Sequence, residues 1–206
     1  MLSIALPKGR LADEVFALLA KSGYEGALAA KDSRKLVLED AANGIRYFLV
    51  KPSDAAIYVL HGAADIGVVG KDILLETSPD VYELLDLRLG ICDMIVAGPA
   101  DFSSPKETLR VATKFPNIAR KYYGQKGQEI ELVALNGSVE LAPIVGLSDV
   151  IVDITQTGST LVANKMTVLE KIMPISARLI ANISSYKFKA AQIDRIKQAL
   201  AEEAGT

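Results

Sequence analysis

Between Asp153 and Thr160 the chain reads Asp-Ile-Thr-Gln-Thr-Gly-Ser-Thr, which gathers one acid, four hydroxyls and a glycine into eight residues. Hydroxyls donate hydrogen bonds to anionic oxygens. A glycine lets the backbone turn tightly and approach an anion closely. A helix opening near Ser159 would direct its first N–H groups to the same place. Thr155, Thr157, Gly158, Ser159 and Thr160 are thus the parts of a phosphate cradle, and Asp153 is placed to hold a sugar hydroxyl or a metal-bound water. Hydroxyls and acids after a strand also suit a plain helix cap. The density of hydroxyls around one glycine tips the balance slightly toward phosphate.

A second anion-binding candidate is Lys8-Gly9-Arg10. Arginine clamps phosphate oxygens bidentately and lysine adds a point charge, so the tripeptide suits a polyphosphate, although an ordinary solvated turn has the same residues. Arg34-Lys35 and Lys51 bracket a hairpin and read as surface charge unless the hairpin folds over a binding cleft. Asn136 to Pro143 forms another glycine-hydroxyl turn. If Ser138 caps the helix that follows, Glu140 falls two residues later rather than the three a capping box requires, which leaves Glu140 available for other work. The segment Asp65 to Asp72 carries Gly67 and Gly70 but neither a dinucleotide fingerprint nor a Walker A sequence. Close packing and ligand contact explain those glycines equally well. His61 reads as a helix-end packing residue and Cys92 as a core residue. No zinc-type cluster or nucleophile elbow accompanies either.

These residues need a scaffold, and the hydrophobic pattern supplies one. Residues 2–6 read as a strand ended by Pro7. Leu11, Val15, Leu18 and Leu19 mark one face of the helix that follows, with Gly23 as its stop. Residues 36–39 and 45–50 read as a hairpin around Asn43-Gly44. Ser53-Asp54 is expected to cap a short helix to His61, followed by a buried strand at 65–70 and a short helix from Lys71 to Glu76. Strands are expected at 82–88, 91–98, 110–113, 130–135 and 150–154. A helix opens at Phe115-Pro116-Asn117. Residues 166–172 and 177–183 read as extended, and 185–204 as a helix burying Ile193, Ile196 and Leu200. Alternating strands and helices predict an α/β protein with mostly parallel sheets. Two such blocks predict two lobes, residues 1–92 plus 180–206 and residues 93–179, with ligands in a central interlobe cleft at the strand ends.

Composition narrows the function. Half of the 206 residues are hydrophobic, there is no Trp, and the net charge is −2. That charge leaves no nucleic-acid footprint. Each apolar stretch is interrupted by charges before it could span a bilayer, and Met1-Leu2-Ser3-Ile4 has no signal-peptide layout. The expectation is a cytoplasmic protein that engages neither membrane nor nucleic acid.

Taken in order, several segments resemble the ATP phosphoribosyltransferase family in its short form, which lacks a C-terminal regulatory domain. They are Ala5-Leu6-Pro7-Lys8-Gly9-Arg10, Ser33-Arg34-Lys35-Leu36, His61 to Asp72, Tyr82 to Leu87, Ala112 to Asn117, Gly137 to Pro143 and Asp153 to Leu161. The resemblance implies two periplasmic-binding-protein-like lobes and the joining of ATP to phosphoribosyl pyrophosphate. N1 of the adenine attacks C1 of the ribose, pyrophosphate leaves, and Mg²⁺, carried with the substrate phosphates, assists. It further implies that Asp153 to Thr160 hold the ribose 5-phosphate and ribose hydroxyls. Arg10 and Arg34, with Lys8 beside them, would stabilise the leaving pyrophosphate, and Glu140 would lie near the nucleotide and ribose. The implied partner is a regulatory subunit similar to histidyl-tRNA synthetase, in a hetero-octamer. Gln156 departs from the acid many relatives carry there, and Ser159 occupies a variable position. Two rivals stand beside this expectation. One is a two-lobed small-molecule binding protein without catalysis. The other is a phosphoribosyltransferase for another base, which would carry a second acid where Ile154 follows Asp153.

Overall fold

The computed structural model describes residues 1–26, 35–103 and 108–205. In chain order the first elements are β1 (Leu2–Pro7), α1 (Arg10–Lys21), β2 (Val37–Asp40), β3 (Ile45–Val50), α2 (Ala55–Leu60) and β4 (Ile66–Gly70). Then come α3 (Lys71–Thr77), β5 (Tyr82–Asp86), β6 (Cys92–Pro99), β7 (Leu109–Thr113), α4 (Pro116–Gln125) and β8 (Ile130–Ala134). The last are α5 (Leu141–Ile144), β9 (Val150–Thr155), α6 (Ser159–Ala163), β10 (Met166–Ile175), β11 (Ala177–Ala181) and α7 (Ile183–Ala204). The chain forms two compact units. The first comprises Met1–Leu74, Ser78–Gly90 and Ser176–Thr206, and the second Leu75–Thr77 and Ile91–Ile175.

The first unit is built on a sheet of order β2-β3-β1-β4-β11-β5. Strand β1 alternates its side chains between the two faces. Leu2, Ile4 and Leu6 pack with Val15, Leu18 and Leu19 of α1 and Ile193, Ile196 and Leu200 of α7. Ala5 faces the other way, toward Ala55, Ala56 and Val59 of α2. The stripes predicted for both long helices are therefore their buried faces, and each fully buried Leu, Val or Ile contributes roughly 1.5–3 kcal/mol. Gly67 of β4 belongs to this packing, since a Cβ there would lie 2.8 Å from Val59 Cγ2 and 3.2 Å from the Ala5 carbonyl oxygen.

Asp65 pins the start of β4 to both ends of the chain. Its buried carboxylate accepts hydrogen bonds from Ser3 N–H (2.8 Å), Ser185 Oγ (2.7 Å) and Lys189 Nζ (2.7 Å). Burial would push this carboxyl up. The bonds from Lys189, Ser3 and Ser185 together outweigh it and hold the group below its ordinary range. Helix α7 starts at Ile183, two residues before the predicted start, because Asn182 accepts the Ser185 N–H and caps it. Asp54 occupies the N-cap position of α2 but makes no capping bond from its side chain. It accepts the Ser53 hydroxyl instead, so the expected cap is not formed.

The second unit has a sheet of order β10-β6-β9-β7-β8. The sheets are mixed rather than mostly parallel. Parallel pairs are β1 with β3 and β4, and β7 with β8 and β9. Antiparallel pairs are β2 with β3, β11 with β4 and β5, and β6 with β9 and β10. Only a parallel pair requires a long crossover. The β2–β3 hairpin needs only Asn43-Gly44 and its neighbours, and β10 passes into β11 through Ser176 alone, so no helix intervenes at either place. Among the described residues no helix is long and apolar enough to cross a membrane.

Candidate active site

The hydroxyl-rich turn sits at the end of a buried strand. Val150, Ile151 and Val152 are fully buried, whereas Asp153 and Thr155 are half-buried. Strand β9 lies between β6 and β7, so both its edges are paired. On the β6 side the ladder continues to Asp93↔Thr155. On the β7 side it stops at Thr113↔Val152. From Thr155 the chain bends through Gly158, whose φ of 72° and ψ of 1° are left-handed. A Cβ at Gly158 would meet nothing within 4 Å, so the glycine is needed for its backbone conformation rather than for space.

The turn is organised by its own atoms. Thr155 Oγ1 accepts the Gly158 N–H at 3.1 Å, Thr157 Oγ1 and Ser159 Oγ share a hydrogen bond at 3.0 Å, and Ser159 N–H donates to Thr157 Oγ1 at 3.4 Å. Thr157, Ser159 and Thr160 are exposed. Ile154 N–H donates to Asp153 Oδ1 at 2.8 Å. Leu161, the residue after Thr160, is buried against Ile95, Ala97 and Ile151 and anchors the turn to the sheet. Val139 and Ala142 belong to the same buried cluster. Glu140 between them is half-buried and stands at the N-cap position of α5, where its side chain makes no capping bond. Ser138 has a left-handed φ of 48° and does not cap that helix.

The entry to β9 is clamped from outside. Asp149 accepts from Arg110 N–H (2.8 Å) and from its guanidinium Nη2 (2.7 Å), and Arg110 Nη1 donates to the Gly146 carbonyl. These Arg110 hydrogen bonds hold the Asp149 carboxyl below its usual range against partial burial. No local pattern marks this pair, whose members lie 39 residues apart.

Lys8 and Gly9 lie in the first unit, exposed, between β1 and α1. Lys8 N–H donates to the Val50 carbonyl at 2.8 Å and so continues the β1–β3 ladder. Gly9, with φ 91°, is the N-cap residue of α1, and Arg10 is the helix's first residue. Arg34 lies outside the described residues. The predicted site residues therefore fall into a first-unit group, Lys8 to Arg10, and a second-unit group, Asp153 to Thr160 with Glu140. His61 is exposed at the end of α2. Cys92 is half-buried at the start of β6 rather than enclosed in the core. Among the described residues no three His, Cys, Asp or Glu side chains cluster as a metal cage.

The chain is similar to several known proteins. The model of the ATP phosphoribosyltransferase family matches residues 51–202. A relative described as ATP phosphoribosyltransferase, from Caldanaerobacter subterraneus subsp. tengcongensis, is 53% identical over 197 residues, covering 95% of this chain and 94% of the relative. Another of that description, from Thermoanaerobacter sp., is 55% identical over 196 residues, covering 95% and 92%. Among solved structures, the ATP phosphoribosyl transferase (HisG:HisZ) complex from Thermotoga maritima matches with a TM-score of 0.85 and 38% identity, over 99% of this chain and 98% of that one. The periplasmic aliphatic sulphonate binding protein SsuA from Escherichia coli shares the fold alone, with a TM-score of 0.62 and 14% identity over 98% of this chain and 72% of its own. The chain belongs to the ATP phosphoribosyltransferase family, pentosyltransferases that join N1 of ATP to C1 of phosphoribosyl pyrophosphate in the first step of histidine biosynthesis.

Proposed function

We propose that in this transfer the turn from Thr155 to Thr160 holds the ribose 5-phosphate, Asp153 holds the ribose hydroxyls, and Lys8, Arg10 and Arg34 stabilise the departing pyrophosphate. The observation that carries the assignment is the left-handed bend at Gly158 with Thr157, Ser159 and Thr160 exposed around it at the end of β9. Displacement at C1 develops positive charge on the ribose and negative charge on the leaving group. Such a reaction calls for positioned substrates and preorganised charge rather than a covalent nucleophile. Cations at Lys8, Arg10 and Arg34 match the leaving group. Gly9, with no side chain, lets a phosphate come close to the backbone of that turn, and Glu140 lies by the nucleotide and ribose.

The residues fit Mg²⁺ as an ion bound mainly by substrate oxygens. That ion keeps several waters and usually takes only one or two carboxylates, and no cage of three is present among the described residues. Asp153 would offer a carboxylate to the ion or to one of its waters. When bound, Mg²⁺ would neutralise charge on the pyrophosphate.

The partner is a regulatory subunit similar to histidyl-tRNA synthetase, in a hetero-octamer, and histidine inhibition acts through it. The solved HisG:HisZ complex, 38% identical in its matched chain, supports a second subunit as partner. The reaction's use of ATP and phosphoribosyl pyrophosphate supports a cytoplasmic location.

The test is turnover of Arg10→Ala and Arg34→Ala, followed by the absorbance of phosphoribosyl-ATP in the presence of the regulatory subunit. Loss of one charge-stabilising donor lowers kcat on the order of a hundredfold, with much smaller changes in substrate binding. Unchanged turnover in both variants removes the leaving-group role.

A further inference from the structure

We infer that Thr113 is a positioning residue for the phosphoribosyl turn, acting through the backbone of β9 without touching substrate. The inference rests on the assignment of the 5-phosphate to Thr155–Thr160. Thr113 is fully buried at the end of β7. Its hydroxyl donates to the Val152 carbonyl at 2.7 Å and accepts the Phe115 N–H at 2.8 Å. Its own carbonyl accepts the Leu135 N–H at 3.0 Å. One residue thus ties together the ends of three neighbouring parallel strands, β7, β8 and β9, and the turn into α4.

The position of these bonds gives them their effect. Thr113↔Val152 is the last register pair of β7 with β9, and Val152 directly precedes Asp153. Beyond it, β9 continues to Thr155 with ladder support from β6 only. The Thr113 hydroxyl supplies the final anchor on the β7 side, where the backbone ladder has run out. It fixes the Val152–Asp153 peptide plane and hence the direction in which Asp153 and Thr155 leave the sheet. Misplacement of a substrate-holding group by about 1 Å costs on the order of a hundredfold in rate, so a modest rotation of this plane is enough to be seen.

The test uses Thr113→Val, which keeps the shape and removes the hydroxyl, and Thr113→Ser, which keeps the hydroxyl. Thr113→Ala, whose vacated space admits a water, takes the place of the valine variant if that one does not fold. Calorimetric dissociation constants are measured for phosphoribosyl pyrophosphate and for ATP, each with the thermal midpoint. The expected result is affinity for phosphoribosyl pyrophosphate weakened roughly tenfold or more in Thr113→Val, the equivalent of one hydrogen bond to a charged oxygen, ATP affinity changed by less than about threefold, and Thr113→Ser restored to near the parent value. Equal weakening of both ligands, no weakening, or no recovery with serine overturns the positioning role. A Ser159→Ala/Thr160→Ala control separates the two levels. If it weakens phosphoribosyl pyrophosphate binding and Thr113→Val does not, only the positioning role fails. If neither does, the 5-phosphate assignment fails with it.

Discussion

Thr155 Oγ1 accepts the backbone N–H of Gly158 at 3.1 Å, closing a left-handed turn with the protein's own atoms. The turn therefore needs no substrate to set its shape, and preorganised donors lose little entropy when an anion arrives. Open space surrounds Gly158, so a methyl group there acts through backbone strain alone. Gly158→Ala is expected to cost about 1–2 kcal/mol for placing an alanine in the left-handed region, and part of that cost appears as a raised KM for phosphoribosyl pyrophosphate. Gly158→Asn should fall between the two, because asparagine tolerates this region. Steady-state kinetics of the pair check it, and an alanine variant with the parent KM would exclude a conformational requirement.

Glu76 caps α4 from another part of the chain. Its carboxylate accepts the N–H groups of Asn117 (3.0 Å) and Ile118 (3.1 Å), where the N-cap residue Phe115 supplies no side-chain bond. Two N–H groups without intrahelical acceptors and the positive end of the helix dipole are thereby satisfied. Glu76→Ala should destabilise the protein by about 1 kcal/mol, and Glu76→Gln by less, since an acceptor oxygen remains. Denaturant midpoints of the two variants measure this, and equal midpoints for parent and alanine would show that the contact contributes nothing.

Acid should unfold the protein through particular carboxylates. The Arg110 hydrogen bonds depress Asp149, and Lys189, Ser3 and Ser185 depress Asp65 despite its burial. A carboxyl with a lower pKa when folded adds stability that is complete above its unfolded value, about 4. That stability is lost as pH falls through the folded values. Unfolding free energy should thus be flat near neutrality and fall below about pH 4. Asp149→Asn should lower stability at pH 7 and flatten the acid limb. A limb of unchanged steepness in that variant would remove Asp149 from the cause.

Much of this was legible because the signals are local. The stripe Val15, Leu18, Leu19 lies within two helical turns, Asn43-Gly44 marks its own hairpin, and Gly158 sits among its hydroxyls. The mixed strand directions were not legible, because they depend on which strands become neighbours: β6 pairs with β9 and β10, distant in sequence. Arg110 with Asp149 and Thr113 with Val152 are separated by 39 residues, and Glu76 with Asn117 by 41. Nothing near any of these positions announces its partner. Nor does the architecture choose between enzyme and binding protein, since SsuA shares it at 14% identity. The order of the motifs, and relatives above 50% identity, make that choice.

The most direct measurement is the dissociation constant for ribose 5-phosphate in the parent and in Thr157→Ala/Thr160→Ala. Two hydrogen bonds to a charged oxygen, at roughly 1.5 kcal/mol or more each, are worth about a hundredfold in affinity. The double variant should bind ribose 5-phosphate at least tenfold more weakly while ATP binding stays within about threefold of the parent. An unchanged dissociation constant for ribose 5-phosphate would mean that the turn after β9 does not grip the sugar phosphate.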